Sequence, residues 1–215
     1  VTGAKGNALR IIKKIAKGKK SSIYLTKKYP KIEFNYLNGN FQQQNKDIAL
    51  TTINIFKKYH KIKINQKQII NGIKKTKWPA RFQFISKNVL VDCAHNPSGF
   101  EVLKNELQII KNRKYIKNFI FVIGIQQDKD IQIMLKIINP LVSTIIFTKS
   151  KNEKAKNPKQ LLDIFTKINK NKSIKTRIIQ NPKNALNYAE KIAEKKDLVV
   201  VAGSIYVVGR LFSLT

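Results

Sequence analysis

An apolar run that ends in Asp-Cys-Ala-His-Asn-Pro is the most chemically loaded stretch of this sequence. In "NVLVDCAHNPSG", Asn88 to Gly99, Asp92, Cys93 and His95 follow three apolar residues. Asn96 can cap a helix that follows, and Pro97 suits its first turn. This puts His95 and the first helix amides at a positive helix start, a place that favours an anion. An ordinary capped helix with an exposed histidine has the same pattern. Cys93 lacks a partner base in a known geometry and reads as a small filler rather than a nucleophile. Two further strand ends carry unusual residues. In "GIQQDKD", Gly124 to Asp130, a glycine is followed by a charged cluster; the plain alternative is a solvated loop with Asp130 as a helix cap. In "AGSIYVVG", Ala202 to Gly209, the Gly203-Ser204 turn aims a hydroxyl and amides at one edge; the plain alternative is a helix cap. No Cys/His cluster suits zinc, and His60 lies on an ordinary amphipathic segment. No Ser-His-Asp order or carboxylate pair is convincing.

The elements that must hold these residues fall into two textures. Before Trp78 the periodicity predicts helices over 4–16, 47–59 and 66–75, with "SSIYL" and "KIEFNYL" as short strands. "NGNFQQQN", Asn38 to Asn45, reads as a polar turn. Trp78-Pro79 is a break, because the residue before proline is pushed out of the helical region. Beyond it, "ARFQFI" and "NVLVD" read as strands joined by a two-residue link. Helices over 99–111, 130–138, 158–168, 182–195 and 205–212 then alternate with "NFIFVIGI", "STIIFT", "KTRIIQ" and "DLVVVAGS". This alternation predicts an α/β fold with a mostly parallel sheet and helices on both faces. Ligands of such sheets bind beyond the carboxyl ends of the strands, where the three loaded stretches lie. The domain boundary is expected near residues 76–80.

Composition narrows the partners. The chain has 215 residues and is 42% hydrophobic, enough to bury a core. Its apolar runs are too short to span a bilayer, and no signal-peptide pattern opens it. A single cysteine rules out an internal disulfide framework and suits the cytoplasm. The net charge of +31 raises a non-enzymatic polyanion- or nucleic-acid-binding module as one reading. The basic residues are almost all scattered lysines, without the arginine forks and interleaved aromatics of nucleic-acid readers. Compositional drift with incidental polyanion binding is therefore preferred, and no specific nucleic acid or membrane partner is expected. Val1 and the opening "VTGAKGNAL" read as a start in mid-element, hence as a piece of something longer. "TGAKGNA" lacks the Gly-Lys-Ser/Thr ending of a phosphate loop.

Together these motifs resemble the C-terminal half of the folylpolyglutamate synthase/dihydrofolate synthase family, within the Mur ligase superfamily. "GNFQQQN" resembles its Gly-x-His-Gln-x-x-Asn segment at Gln42 and Asn45. "WPARF" is similar to its Trp-Pro-Gly-Arg segment at Trp78, Pro79 and Arg81. "VLVDCAHNP" is similar to its Asp-Gly-Ala-His-Asn-Pro signature, and "DKD" and "GSIYVVG" match later motifs in order. Phe41, Ala80 and Cys93 depart from the usual His, Gly and Gly, and Arg210 stands where an acidic residue is common. Ala80 is a mild change if the backbone there needs no positive φ. Cys93 implies either a tighter pocket or a relaxed, decaying gene.

The resemblance implies that residues 1–77 are the tail of a central P-loop ATPase domain. Residues 78–215 would be a Rossmann-like glutamate-ligase domain. The implied reaction is ATP-dependent: a folate or dihydropteroate carboxylate is phosphorylated, and the amine of L-glutamate attacks the acyl phosphate. Asn45, Arg81 and Asp92 would contact ATP, with Arg81 as a bidentate fork on phosphate oxygens. His95, Ser204 and Tyr206 would form the glutamate pocket, His95 and Asp92 would be catalytic, and Asp128 and Lys129 would lie on the same edge. Mg2+ ligands are expected in a preceding region and not among these residues, and because the phosphate loop is missing this piece alone would be inactive. The protein is expected to be a cytoplasmic monomer acting on small molecules. A ligase for a cell-wall precursor is the alternative within the superfamily.

Overall fold

The computed structural model describes residues 1–212, so the last three residues of the expected second domain lie outside the described residues. The chain divides into two compact units, Val1–Trp78 and Pro79–Thr215.

The first unit holds three helices, α1 (Gly6–Gly18), α2 (Gln42–His60) and α3 (Gln66–Lys75). Asn65 begins α3 with a capping box: it accepts from the Gln68 amide while Gln68 accepts from its own. Leu50, Ile69 and Ile73 form a small core, with Tyr29, Ile32 and Phe34 packed against it. The segments expected as strands, "SSIYL" and "KIEFNYL", form no ladder; Leu25 alone bridges to Thr2. Side chains of α2 hold the start of the second segment and the stretch between the two instead. Gln43 accepts from the Ile32 amide and donates to its carbonyl, Lys46 Nζ donates to the Tyr29 and Pro30 carbonyls, and Thr51 accepts from the Lys27 amide. The same residues explain why α2 begins at Gln42 rather than Asp47. Buried Gln42 and Lys46 occupy the inward positions one turn apart, so the helix starts without an apolar period.

The second unit is a six-stranded sheet in the order β1-β2-β6-β3-β4-β5. Its strands are β1 (Gln83–Ser86), β2 (Val89–Val91), β3 (Asn118–Ile123), β4 (Val142–Phe147), β5 (Lys175–Ile178) and β6 (Asp197–Ala202). Only the β1–β2 pair is antiparallel. The intervening helices are α4 (Pro97–Lys114), α5 (Ile131–Ile138), α6 (Pro158–Ile168) and α7 (Pro182–Ile192), and the short α8 (Ile205–Gly209) follows β6. Alternation along each strand supplies two apolar faces. Val89, Val91, Ile120, Val122, Val199 and Val201 meet Ala185 and Ala189 of α7 and Val207 and Val208 of α8. On the opposite face the Phe147 ring meets Phe165 of α6, and α4, α5 and α6 pack side by side. The mostly parallel α/β architecture is the one expected. Among the described residues no helix is long and apolar enough to cross a membrane.

Candidate functional site

Backbone hydrogen bonds gather the carboxyl ends of β2, β6, β3 and β4 into one edge. The Asp92 amide donates to Val201, Gly203 to Ala94, Gly124 to Ala202 and Thr148 to Ile123, at 2.9–3.4 Å. Two glycines permit this approach. A Cβ on Gly124 would stand 2.7 Å from the Thr148 carbonyl oxygen, and one on Gly203, at φ +104°, 2.7 Å from that of Gly124.

Asp92 organises the β2 tip. One carboxylate oxygen accepts from the Ala94 amide at 2.7 Å and the other from the Phe82 amide at 2.8 Å, while the Cys93 amide donates to Ala80. The "WPARF" loop is thereby fastened to the strand end, with Arg81 exposed beside it. Burial raises the Asp92 pKa above the usual carboxylate value; the two amide bonds and the charges of Arg81 and His95 pull the other way. Burial, and then the Asp92 charge, push the Cys93 thiol to about 11, a value that suits a packed filler and not a nucleophile.

The expectation that Ala80 is a mild change does not hold, because its condition fails. Ala80 has φ +59° and neighbouring Phe82 φ +48°. Both side chains are nearly inaccessible, and Phe82 donates to the carboxylate that fixes the turn. The left-handed backbone is held there by these contacts although neither residue is glycine.

His95 follows on the exposed side of the tip. Its Nδ1 lies 2.9 Å from the Cys93 carbonyl oxygen. A carbonyl only accepts, so Nδ1 carries a proton, and Nε2 is the ring nitrogen left to face outward. Asn96 caps α4 by accepting from the Gly99 amide at 2.8 Å, with Pro97 in the first turn. Ser204, only 3% exposed, caps α8 through the Tyr206 amide, whereas Tyr206 itself is 48% exposed. Arg81, Asp92, His95 and Ser204 thus come together at the joined tips of β2 and β6. Tyr206 and Asp128 face a shallow cavity of about 500 Å³ with Gln126 and Lys151. Asp128 pairs with Lys129 at 2.9 Å, and that hydrogen bond lowers its pKa. Asn45 belongs to the first unit, where its Nδ2 donates to buried Gln42.

The sequence reading missed the β4–α6 loop. Lys149, Ser150 and Lys151 line an open cavity of about 840 Å³ that also touches Gln180, Asn181 and Arg210. Their signal was available: "STIIFT" ends in polar residues at the same sheet edge as the other loaded tips. Among the described residues, no group of three or more His, Cys, Asp or Glu gathers in a way that could hold a metal ion.

The family model described as "Dihydrofolate synthetase, C-terminal domain" matches residues 83–214. The chain belongs to this family. It is 32% identical over 161 residues to the dihydrofolate synthase/folylpolyglutamate synthase of Buchnera aphidicola, covering 73% of this chain and 36% of that one. It is 29% identical over 149 residues to a UDP-N-acetylmuramoyl-L-alanyl-D-glutamate–2,6-diaminopimelate ligase of Clostridium acetobutylicum, 65% of this chain and 30% of that one. The chain therefore spans about a third of the length of these curated relatives. Among solved structures, the Mycobacterium tuberculosis folylpolyglutamate synthase complexed with ADP and AMPPCP shares the fold with a TM-score of 0.77. That match covers 96% of this chain and 52% of the other, at 16% identity. The match to the family model places the chain with the dihydrofolate synthetase C-terminal domains. The similarity to the diaminopimelate ligase reflects the wider Mur ligase superfamily.

Proposed function

We propose that this chain is part of a cytoplasmic ATP-dependent ligase that joins L-glutamate to folate or to dihydropteroate. The observation that carries the reading is the β2 tip, where Asp92 fastens the Arg81 loop and sets His95 beside the Ser204 turn. A domain of the dihydrofolate synthetase family and folate-type relatives support it over a cell-wall ligase. The names of the relatives supply the substrate class, and the nucleotides named with the solved structures supply ATP.

When bound, ATP supplies the phosphoryl group that activates the substrate carboxylate as an acyl phosphate. Arg81 suits phosphate oxygens: it is exposed, cationic and mounted on a turn that two hydrogen bonds hold. Asp92 holds that turn and receives nucleotide contacts at the strand end. Asn45 takes part in nucleotide recognition from the first unit. His95, through its outward Nε2, orients the glutamate amine and takes up a proton as the amide forms. Ser204 and Tyr206 complete the glutamate pocket, and Asp128 and Lys129 shape its rim. Mg2+ would accompany the nucleotide, with no ligand set among the described residues.

Alanine substitution of Arg81 and of His95 in the complete protein tests this reading. Arg81→Ala should raise the KM for ATP, by about tenfold or more for a lost charge-assisted contact. His95→Ala should lower kcat, by about a hundredfold for a lost proton acceptor. Near-normal turnover in both would defeat the assignment. A polypeptide of these 215 residues has no Gly-Lys-Ser/Thr phosphate loop. It should release no phosphate from ATP with folate and glutamate present.

A further inference from the structure

The amino ends of the strands carry a second cavity, at the opposite edge of the sheet from Asp92, His95 and Ser204. It is open and about 420 Å³ in volume. Its floor is one face of the sheet: Asn118 pairs in register with Asp197, Ile120 with Thr144, and Thr144 with Lys175. Ile192 at the end of α7 and Glu194 beyond it form part of the wall. Tyr188 of α7 also lines it, but its hydroxyl already accepts from Arg177.

Two buried polar groups on this floor are left incomplete. Asp197 is 6% exposed. One of its oxygens accepts from the Asn118 side chain at 2.9 Å and the other from the Glu194 amide at 3.1 Å. These bonds fix the carboxylate, yet no lysine or arginine pairs with it among the described residues. Buried carboxylates are normally paired, and this chain has 43 basic residues to choose from. Exposed Glu194 adds a second carboxylate, paired with Lys117 at 3.9 Å. Thr144 is 9% exposed, and its hydroxyl has no hydrogen-bond partner among the described residues. Two strand spacings and two residues separate Asp197 from Thr144, about 12 Å along the sheet, with Ile120 on the strand between them.

We propose that this cavity binds an aliphatic primary amine with a hydroxyl at its far end, the ammonium on Asp197 and the hydroxyl on Thr144. The ammonium supplies the missing counter-charge, and its N–H bonds meet the remaining lone pairs of the Asp197 and Glu194 carboxylates. The carbon chain lies on Ile120 and against Ile192. A second ammonium at the far end would meet Lys175, which disfavours a diamine, and the two carboxylates oppose an anion. The net charge of +31 repels amines from the rest of the chain, so saturable amine binding has to be local. The site is separate from the strand-tip edge and stands whether or not the chain ligates glutamate.

Calorimetric titration of the complete protein with aminohexanol, an ω-amino alcohol, tests the proposal. Saturable binding at a single site is expected. Hexanediol, which lacks the charge, should bind about tenfold more weakly or worse. Asp197→Asn removes the carboxylate charge and should weaken aminohexanol binding about tenfold or more. Thr144→Val keeps the side-chain shape, leaves both Asp197 hydrogen bonds in place, and should weaken it about fivefold. This second variant carries the test if Asp197→Asn does not fold. Lys175→Met removes a like charge and should tighten binding about twofold. No saturable binding of aminohexanol would overturn the proposal, as would equal binding of the diol or an unchanged affinity in Thr144→Val. Aminohexanoate binding about tenfold more tightly than aminohexanol, with the gain lost in Lys175→Met, would mean that the far end takes a carboxylate and would overturn the hydroxyl assignment.

Discussion

The second unit hides a six-stranded sheet between two helix layers, whereas the first gathers three helices around Leu50, Ile69 and Ile73. In the second, Phe119, Phe121, Val122 and Ile123 of one strand are all inaccessible. In the first, α1 has no buried residue, and Ile11, Ile15, Phe56 and Tyr59 are each more than half exposed. Hydrophobic stabilisation follows the apolar area removed from water, so it is concentrated in the second unit. The first depends more on side chains that bond to its extended segment, such as Lys46 and Gln43. The edge with chemical potential lies on the unit with the stronger core, which suits a site that must hold its donors in fixed positions.

Core truncation tests the contrast most strongly. Phe121→Ala should cost about 3–5 kcal/mol, the usual range for a buried phenylalanine. Leu50→Ala should cost about 2 kcal/mol and leave the β3 and β6 amides as protected as before. Hydrogen exchange resolved by segment, together with urea unfolding, reads both. Equal loss of protection in the two units after Leu50→Ala would make them one cooperative body.

Cys93 offers a finer probe of how tightly the strand tip is closed. The folded protein holds the thiol proton more firmly than the unfolded chain does, because the thiol pKa rises to about 11. Its contribution to stability is therefore complete below the ordinary thiol pKa and is lost as pH rises toward 11. At pH 8, iodoacetamide should alkylate Cys93 about a hundredfold more slowly than an ordinary thiol. The rate should climb only above about pH 10. A half-maximal rate near pH 8.5 would show that water reaches the tip freely. The smallest expected effect belongs to the "WPARF" turn. Ala80→Gly relieves a left-handed alanine and should stabilise the protein by about 0.5–1 kcal/mol in urea unfolding. A loss of stability would mean that the buried Ala80 methyl outweighs the backbone strain.

Much of the second unit was legible because strand and helix alternate there with clean apolar runs. "NFIFVIGI" and "DLVVVAGS" can hardly be anything but buried strands, and their ends pointed to Gly124 and Ser204. The first unit was harder to read. "SSIYL" and "KIEFNYL" have strand-like residues, but Gln43 bonds Ile32 of the second, and Lys46 and Thr51 hold Tyr29, Pro30 and Lys27 between the two, in place of a neighbouring strand. Such side-chain-to-backbone bonds leave no periodic trace. The positive φ of Ala80 was equally hidden, since alanine does not announce it as glycine would. The lysines of the β4–α6 loop were lost among 43 basic residues, and only the cavity singles them out.

The strand order also bears on synthesis by the ribosome. β6 lies between β2 and β3, yet it is the last strand to be made. Until Ala202 has left the exit tunnel, the β1–β2 hairpin and the β3–β4–β5 half-sheet each present an apolar edge with no partner. Such edges invite pairing with the wrong chain. Completion of the sheet and assembly of the strand-tip edge then become a single late event, so no partly translated chain displays the joined tips of β2 and β6.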